Sequence, residues 1–351
     1  MTTHNKICIG IIFGGQSNEH DISIESARTV FQALNSDKNE KKFVTKAFYV
    51  NKSGKWFCNN DSLSILKKTE NSEDSNFNNT LTNCKILDQI DCEDIDIWFP
   101  IIHGTNGEDG TIQGLLKLTQ KPFISSNLLG SALGMDKIAM KLILSHFKIP
   151  QVDFFIIQDQ DLSDEKCLEK ICSQILNRFN LPFFVKPSNS GSSIGISKVK
   201  VKSELLDALQ KAWLVDHRII IEEGLDVREF EVGIIGKLDL KASEVGEVSY
   251  CSDWYDYKSK YKTDNEILIP AEINKDLKQR LQTLSIQSCK ALGINIYARA
   301  DFFLEKSTNR VFLNEINTIP GFTSNSMFPM LWKASGLEID ELIARLVKYS
   351  L

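Results

Sequence analysis

The stretch ARADFFLEKSTNRVFLNEINTIPGFTSNSM, residues 298–327, contains two apolar runs of strand character separated by the turn-rich segment EKSTNR. Alternate residues of a strand share a face, so Arg299 sides with Asp301, and Glu315 with Asn317. If the runs form an antiparallel hairpin with Lys306 opposite Arg310, then Leu304 faces Phe312, Asp301 faces Glu315 and Arg299 faces Asn317. All four polar groups then project from one face, and a slip of one residue would separate them. Two opposed carboxylates repel unless a cation lies between them. Oxygen donors without His or Cys suit a hard ion such as magnesium, held by one or two carboxylates together with substrate phosphates. The other reading of the same residues is an Arg299/Asp301/Glu315 salt-bridge network on a solvated sheet face.

The rest of the chain limits what this hairpin can belong to. At 351 residues it exceeds the size at which one core usually keeps growing, so two or three domains are expected. Its 41 basic and 46 acidic residues give a net charge of -5 and no basic block, which argues against nucleic acid as a partner. The cysteines at 8, 58, 84, 92, 167, 172, 251 and 289 form no C-x-x-C pair. Neither a zinc site nor a disulfide framework is indicated, and most read as small buried hydrophobes. The N-terminal apolar run has no cleavage site and leads into a Gly-Gly turn, and no apolar stretch reaches membrane-spanning length. A soluble cytoplasmic protein is expected.

Strand-like and helix-like runs alternate in the first segment. KICIGIIF, FVTKAFYV and IDIWFPII read as strands, and TIQGLLKLTQ as a helix. ISIESARTVFQAL sets Ala27, Val30, Phe31 and Leu34 on one helical face. This α/β alternation predicts a doubly wound parallel sheet over residues 1–125. The polar tract 59–83 interrupts it as an exposed insertion. An α+β unit is expected over 126–225, with helices near 164–179 and 203–213, the strands PFFVKP and RIIIEEG, and a Gly-Ser loop. A third unit over 226–351 carries the strands EFEVGIIG and SEVGEVSY, the polar aromatic loop CSDWYDYKSKYKTDN, the hairpin and a terminal helix.

Two further groups of residues carry chemistry. Lys137 opens a helix and Lys186 ends a strand, and both are point charges suited to polyphosphate. The loop SNSGSSIGIS after Lys186 offers Gly191 and Gly195 among Ser190, Ser192 and Ser193, whose N–H groups would fold over phosphate oxygens, although the P-loop spacing is absent. FGGQSNEHDIS and FPIIHGTNGEDG follow strands of the first segment, where an open α/β sheet binds ligands. They bring Glu19, His20, His103 and Glu108 to one sheet edge, and Glu19 suits a substrate ammonium.

In order along the chain, GGQSNEHDIS, HGTNGEDG, GMDK, VKPSNSGSSIG, EEG, REFEV, YDYKSKY, RADF and NEINTIPGFTSNSM resemble the D-alanine–D-alanine ligases of the ATP-grasp superfamily. The resemblance implies a three-domain architecture: an N-terminal substrate-binding domain, a central ATP-grasp unit with the glycine-rich loop, and a C-terminal catalytic unit with a lid loop. It also implies ATP-dependent joining of two D-alanines through an acyl phosphate and a tetrahedral intermediate, a cytoplasmic step of peptidoglycan synthesis that supports cell wall and cell shape.

By motif match, Asp301, Glu315 and Asn317 take the ligands of two magnesium ions, which manganese can replace. Lys137, Lys186, Ser193, Glu222, Glu223, Leu225 and Glu229 take ATP-binding positions. Arg299 and the Gly321 N–H take the oxyanion. His103, Lys260, Ser326 and Met327 fall at substrate-binding positions, with His103 in an orienting role, and Met327 stands where many members carry Leu. Glu19 is implied to hold the first D-alanine's ammonium and to bond toward Ser192 and Tyr261, closing the glycine loop and the lid over a dry site. A homodimer is the family expectation.

A related ligase that makes D-alanyl-D-lactate carries a His where this chain has Tyr261, which favours an amine nucleophile here. A non-catalytic ATP-binding scaffold would be expected to have lost Arg299, Asp301, Glu315 or Asn317, and all four are present.

Overall fold

The computed structural model describes residues 6–58, 60–67, 83–84, 94–158, 164–249 and 266–351. Three sheets organise it. The first has β1 (Ile7–Gly14) between β2 (Phe43–Val50) and β5 (Ile97–Ile101), paired in parallel with both. The short strands β3 (Trp56–Cys58) and β4 (Asn83–Cys84) extend the β2 side antiparallel. Strand β1 is apolar on both faces because both are covered. On one face Ile9, Ile11 and Phe13 meet Ala27, Val30 and Leu34 of α1 (His20–Leu34), with Phe31 half-buried at the margin. On the other, Ile12 and Trp98 meet Ile112 and Leu116 of α3 (Thr111–Leu118). This is the doubly wound arrangement expected, with an antiparallel edge added. Of the tract 59–83, residues 60–67 form α2 (Asn60–Lys67), and most of the remainder lies outside the described residues. Cys58 is disulfide-bonded, which the cysteine spacing did not signal, whereas Cys8, Cys167, Cys172 and Cys289 are free thiols.

After α4 (Leu128–Met135) and α5 (Lys137–His146), the second sheet takes the order β6 (Phe154–Ile157), β9 (Ile219–Glu223), β7 (Phe183–Pro187), β8 (Ser197–Val199), with all pairs antiparallel. Helices α6 (Glu165–Arg178) and α7 (Leu205–Trp213) close its core through Ile171, Ile175, Leu205 and Leu209. The third sheet is antiparallel in the order β12 (Glu266–Leu268), β11 (Lys241–Ser249), β10 (Val227–Gly236), β13 (Ile296–Glu305), β14 (Val311–Asn317). Its apolar face packs on α8 (Lys275–Leu292) and also on Met140 and Leu144 of α5. Two helices, α9 (Met327–Ala334) and α10 (Ile339–Ser350), end the chain. Phe322, Phe328, Leu342 and Leu346 join Ile9 and Phe13 in the first sheet's core, so the two ends of the chain share one interior.

The hairpin departs from its expected register in one half. Arg299 faces Asn317 and Asp301 faces Glu315 as expected, but Leu304 faces Val311, not Phe312. The turn closes one residue earlier, with Glu305 N–H donating to Arg310 C=O at 3.0 Å. A bulge at Asn314 reconciles the halves. Strict alternation would place Val311, Leu313, Glu315 and Asn317 on one face, with the carboxylate in the core. Instead Val311, Leu313 and Ile316 are the core residues, and the extra residue turns Glu315 and Asn317 to the opposite face.

Candidate active site

On that opposite face Arg299 donates from Nε and Nη2 to the two Asp301 carboxylate oxygens, each at 2.7 Å. Its Nε also lies 2.9 Å from Glu231 Oε2. Glu231 on β10 faces Asp301 across the ladder, a third carboxylate that the hairpin alone did not reveal. Glu229 lies two residues before it on the same strand face. Asn317 Oδ1 accepts the Ile319 N–H at 2.9 Å, which fixes the amide at the strand's end. Arg299 and Asp301 are both buried, so this is not the solvated salt-bridge face of the other reading. Among the described residues, no three His, Cys, Asp or Glu side chains form a metal cage. Two opposed carboxylates and an amide are instead an open donor set, the kind magnesium completes with phosphate oxygens.

The lysines converge from two elements. Lys186 on β7 donates to Glu222 Oε2 at 2.6 Å. Lys141 Nζ, fully buried on α5, lies 3.1 Å from Glu222 Oε1 and 5.5 Å from the centre of the Phe154 ring. Burial favours a neutral Glu222, but the two ammonium groups outweigh it and hold the carboxyl down to about 2. Burial also lowers the pKa of Lys141, opposed by the Glu222 charge. Lys137 donates to Ser190 C=O at 2.6 Å, and its pKa is likewise lowered by burial, with the charge of Glu315 opposing. Sequence reading found Lys137, Lys186 and Glu222 but missed Lys141; its signal was the i, i+4 spacing from Lys137 on the buried side of α5. Glu223 ends β9 with its N–H donating to Asp153 C=O, and it and Leu225 are half-buried.

Asp136, also unremarked in the sequence, caps α5 by accepting the Ala139 N–H and takes bonds from Ser188 and Arg218. These contacts tie α5 to the start of the glycine-rich loop. Within that loop Ser192 and Ser193 take φ of +54° and +59°, left-handed values that non-glycine residues adopt at a cost of about 1–3 kcal/mol. Ser192 Oγ is buried without a hydrogen-bond partner among the described residues, so the expected Glu19–Ser192 bond is not formed here. Glu19 is nevertheless adjacent: a Cβ at Gly104 would lie 3.0 Å from its Oε2, and one at Gly191 would lie 3.8 Å from the Gly104 Cα. The three glycine loops thus meet at the Glu19 carboxylate. Tyr261 and Lys260 lie outside the described residues.

His103 is buried with Nδ1 2.8 Å from Ile319 C=O and Nε2 2.9 Å from Ser26 Oγ. His20, also buried, contacts Gly15 C=O and the Tyr49 hydroxyl, and Glu108 accepts the Gly104 N–H. Beyond Gly321, Ser326 Oγ accepts the Thr323 N–H at 3.1 Å and lies 2.7 Å from where a Gly321 Cβ would stand. Met327, the first residue of α9, is buried.

Two family models match the chain, one for the D-ala D-ala ligase N-terminus over residues 8–126 and one for its C-terminus over 143–348. A D-alanine–D-alanine ligase of Prochlorococcus marinus subsp. pastoris is 58% identical over 352 residues, covering 100% of this chain and 99% of the relative. A solved D-Ala:D-Ser ligase from Enterococcus faecalis superposes with a TM-score of 0.83 at 30% identity, covering 99% of this chain and 100% of that one. The D-alanine–D-alanine ligase from Coxiella burnetii gives 0.81 at 28%, covering 98% and 95%. Fold and site together define a ligase of the ATP-grasp class. Within that class the chain belongs to the D-alanine–D-alanine ligase family.

Proposed function

We propose that this chain joins two D-alanines at the expense of ATP, acting in the cytoplasm as a homodimer to supply a peptidoglycan precursor. The observation that carries this reading is the polar face of β13 and β14, buried at Arg299 and Asp301 and half-buried at Glu315 and Asn317, set by the Asn314 bulge beside the lysine cluster. Residues 1–125, 126–225 and 226–351 would serve as its substrate-binding, central and catalytic units, with the apolar side of α5 packed into the core of the third. No helix among the described residues is long and apolar enough to cross a membrane.

In this reading Lys137, Lys186 and the Ser192–Ser193 turn receive the ATP phosphates, and Glu222, Glu223, Leu225 and Glu229 receive the adenine and ribose. Glu19 holds the first D-alanine's ammonium. Asp301, Glu315 and Asn317 are the residues that would hold magnesium, which when bound neutralises phosphoryl charge. The first D-alanine's carboxylate takes the γ-phosphoryl group to give an acyl phosphate. The second D-alanine's amine attacks its carbonyl carbon, Arg299 with the Gly321 N–H stabilises the resulting oxyanion, and collapse of the intermediate breaks the C–O bond and expels inorganic phosphate as the amine loses its proton. Ser326 and Met327 hold the second carboxylate, and Lys260 and Tyr261, which lie outside the described residues, fall at substrate-side positions by the family pattern.

A coupled phosphate-release assay with D-alanine, L-alanine, D-lactate and D-serine as second substrate tests the reading. Release is expected with D-alanine, ATP and magnesium; equal turnover with L-alanine, or preference for D-lactate or D-serine, would overturn the assignment. Tyr261→His is expected to shift product toward the D-lactate depsipeptide.

A further inference from the structure

We propose that Ser26 is a positioning residue that aims the Gly321 N–H at the oxyanion; this rests on the ligase reading above. Ser23 and Ser26 lie three apart on the buried side of α1, and neither is exposed. Ser23 joins the ends of two strands: its hydroxyl accepts the Gly14 N–H at 2.7 Å and donates to Ile101 C=O. Ser26 reaches a loop almost three hundred residues away, accepting the Phe322 N–H at 3.1 Å.

The proton positions follow from the acceptors. A carbonyl only accepts, so His103 Nδ1 carries a proton facing Ile319 C=O, and in the neutral ring Nε2 is then the acceptor. Ser26 therefore donates to Nε2, and its oxygen takes the Phe322 N–H. Ser26 and His103 thus grip the C=O before Pro320 and the N–H after Gly321. Pro320 has no N–H to offer. Among the described residues the Gly321 amide donates to no protein acceptor.

Phe322 is fully buried, 5.5 Å from the Tyr297 ring and 5.4 Å from that of Phe328. That aromatic packing fixes where the loop sits, while the two hydrogen bonds fix the rotation of its peptide planes. Oxyanion donors work only when aimed, and removing one outright costs about 10²–10³ in turnover. Ser26, itself inaccessible to substrate, sets that aim from the first segment's helix.

The test compares Ser26→Ala and Ser26→Cys with the wild type. In Ser26→Ala kcat is expected to fall about 10–100-fold, with KM for ATP within about twofold of wild type. Affinity for a phosphinate analogue of the tetrahedral intermediate should fall in parallel. Ser26→Cys, which keeps a weak donor and acceptor, should fall between. Hydrogen–deuterium exchange across residues 319–323 should quicken in both variants, and it reports on the loop even where turnover is too low to measure. Unchanged kcat with unchanged exchange would overturn the proposal, as would equal losses in kcat and ATP binding, which mark a general structural defect. Failure of the wild type to bind the phosphinate would instead refute the ligase reading.

Discussion

Glu222→Gln removes the anion that lies between two buried ammonium groups. The carboxyl is held down from 4.5 to about 2, a preference for the charged form of about 3 kcal/mol. Leaving a buried charge uncompensated costs about 3–5 kcal/mol. Lys186 keeps some contact with solvent, so the burden falls on Lys141, which has none.

Lys141 can escape by losing its proton. From the ordinary lysine value of 10.5, that costs about 5 kcal/mol at pH 7 but only about 2 kcal/mol at pH 9. The variant is therefore expected to be destabilised relative to wild type by about 3–5 kcal/mol at pH 7 and by no more than about 2 kcal/mol at pH 9. The sign in wild type runs the other way. Because the folded-state pKa of Glu222 is depressed, its contribution is complete above 4.5 and lost as pH falls toward 2. The variant should lack that acid-side loss. Urea unfolding without nucleotide, followed by tryptophan fluorescence at both pH values, measures the difference. Equal destabilisation at pH 7 and 9, or none, would refute the argument that Glu222 neutralises Lys141.

Two other substitutions test the sheet faces. A Cβ at Gly10 would lie 2.5 Å from a carbon of the buried Trp98 ring, so Gly10→Ala should cost about 1–3 kcal/mol in urea unfolding while kcat of the folded fraction is unchanged. Glu315→Gln should weaken manganese binding, read by paramagnetic resonance, by at least about tenfold and abolish ligase activity with an unaltered circular dichroism spectrum; wild-type manganese affinity would return this face to a salt-bridge role.

How far sequence reading reached depended on whether partners are local. The continuous apolar run of β1 required cover on both sides, and that cover is present. The pairs Arg299–Asn317 and Asp301–Glu315 were expected from a turn with Lys306 opposite Arg310, and they hold because the extra residue of the bulge offsets the turn's shift by one. The turn side was misjudged by one residue. The signal was present, since Leu313 and Ile316 are both core-type residues three positions apart, a spacing no regular strand can bury on one face. Period-two reasoning assumes regularity, so it carries no information about where regularity fails.

Lys141 and Glu231 were missed for a different reason. Each acquires its role from a strand or helix remote in sequence, and a lysine on an apolar helix face does not announce the carboxylate of β9 opposite it. The same holds for the loop around Gly321. Its Pro-Gly pair marked a turn, but the atoms that orient it belong to Ser26 and His103, and Phe322 is anchored in an interior begun by the first strand. The polar face of the third sheet is thus steadied from the first, so a substitution at Ser26 should alter turnover without touching any substrate.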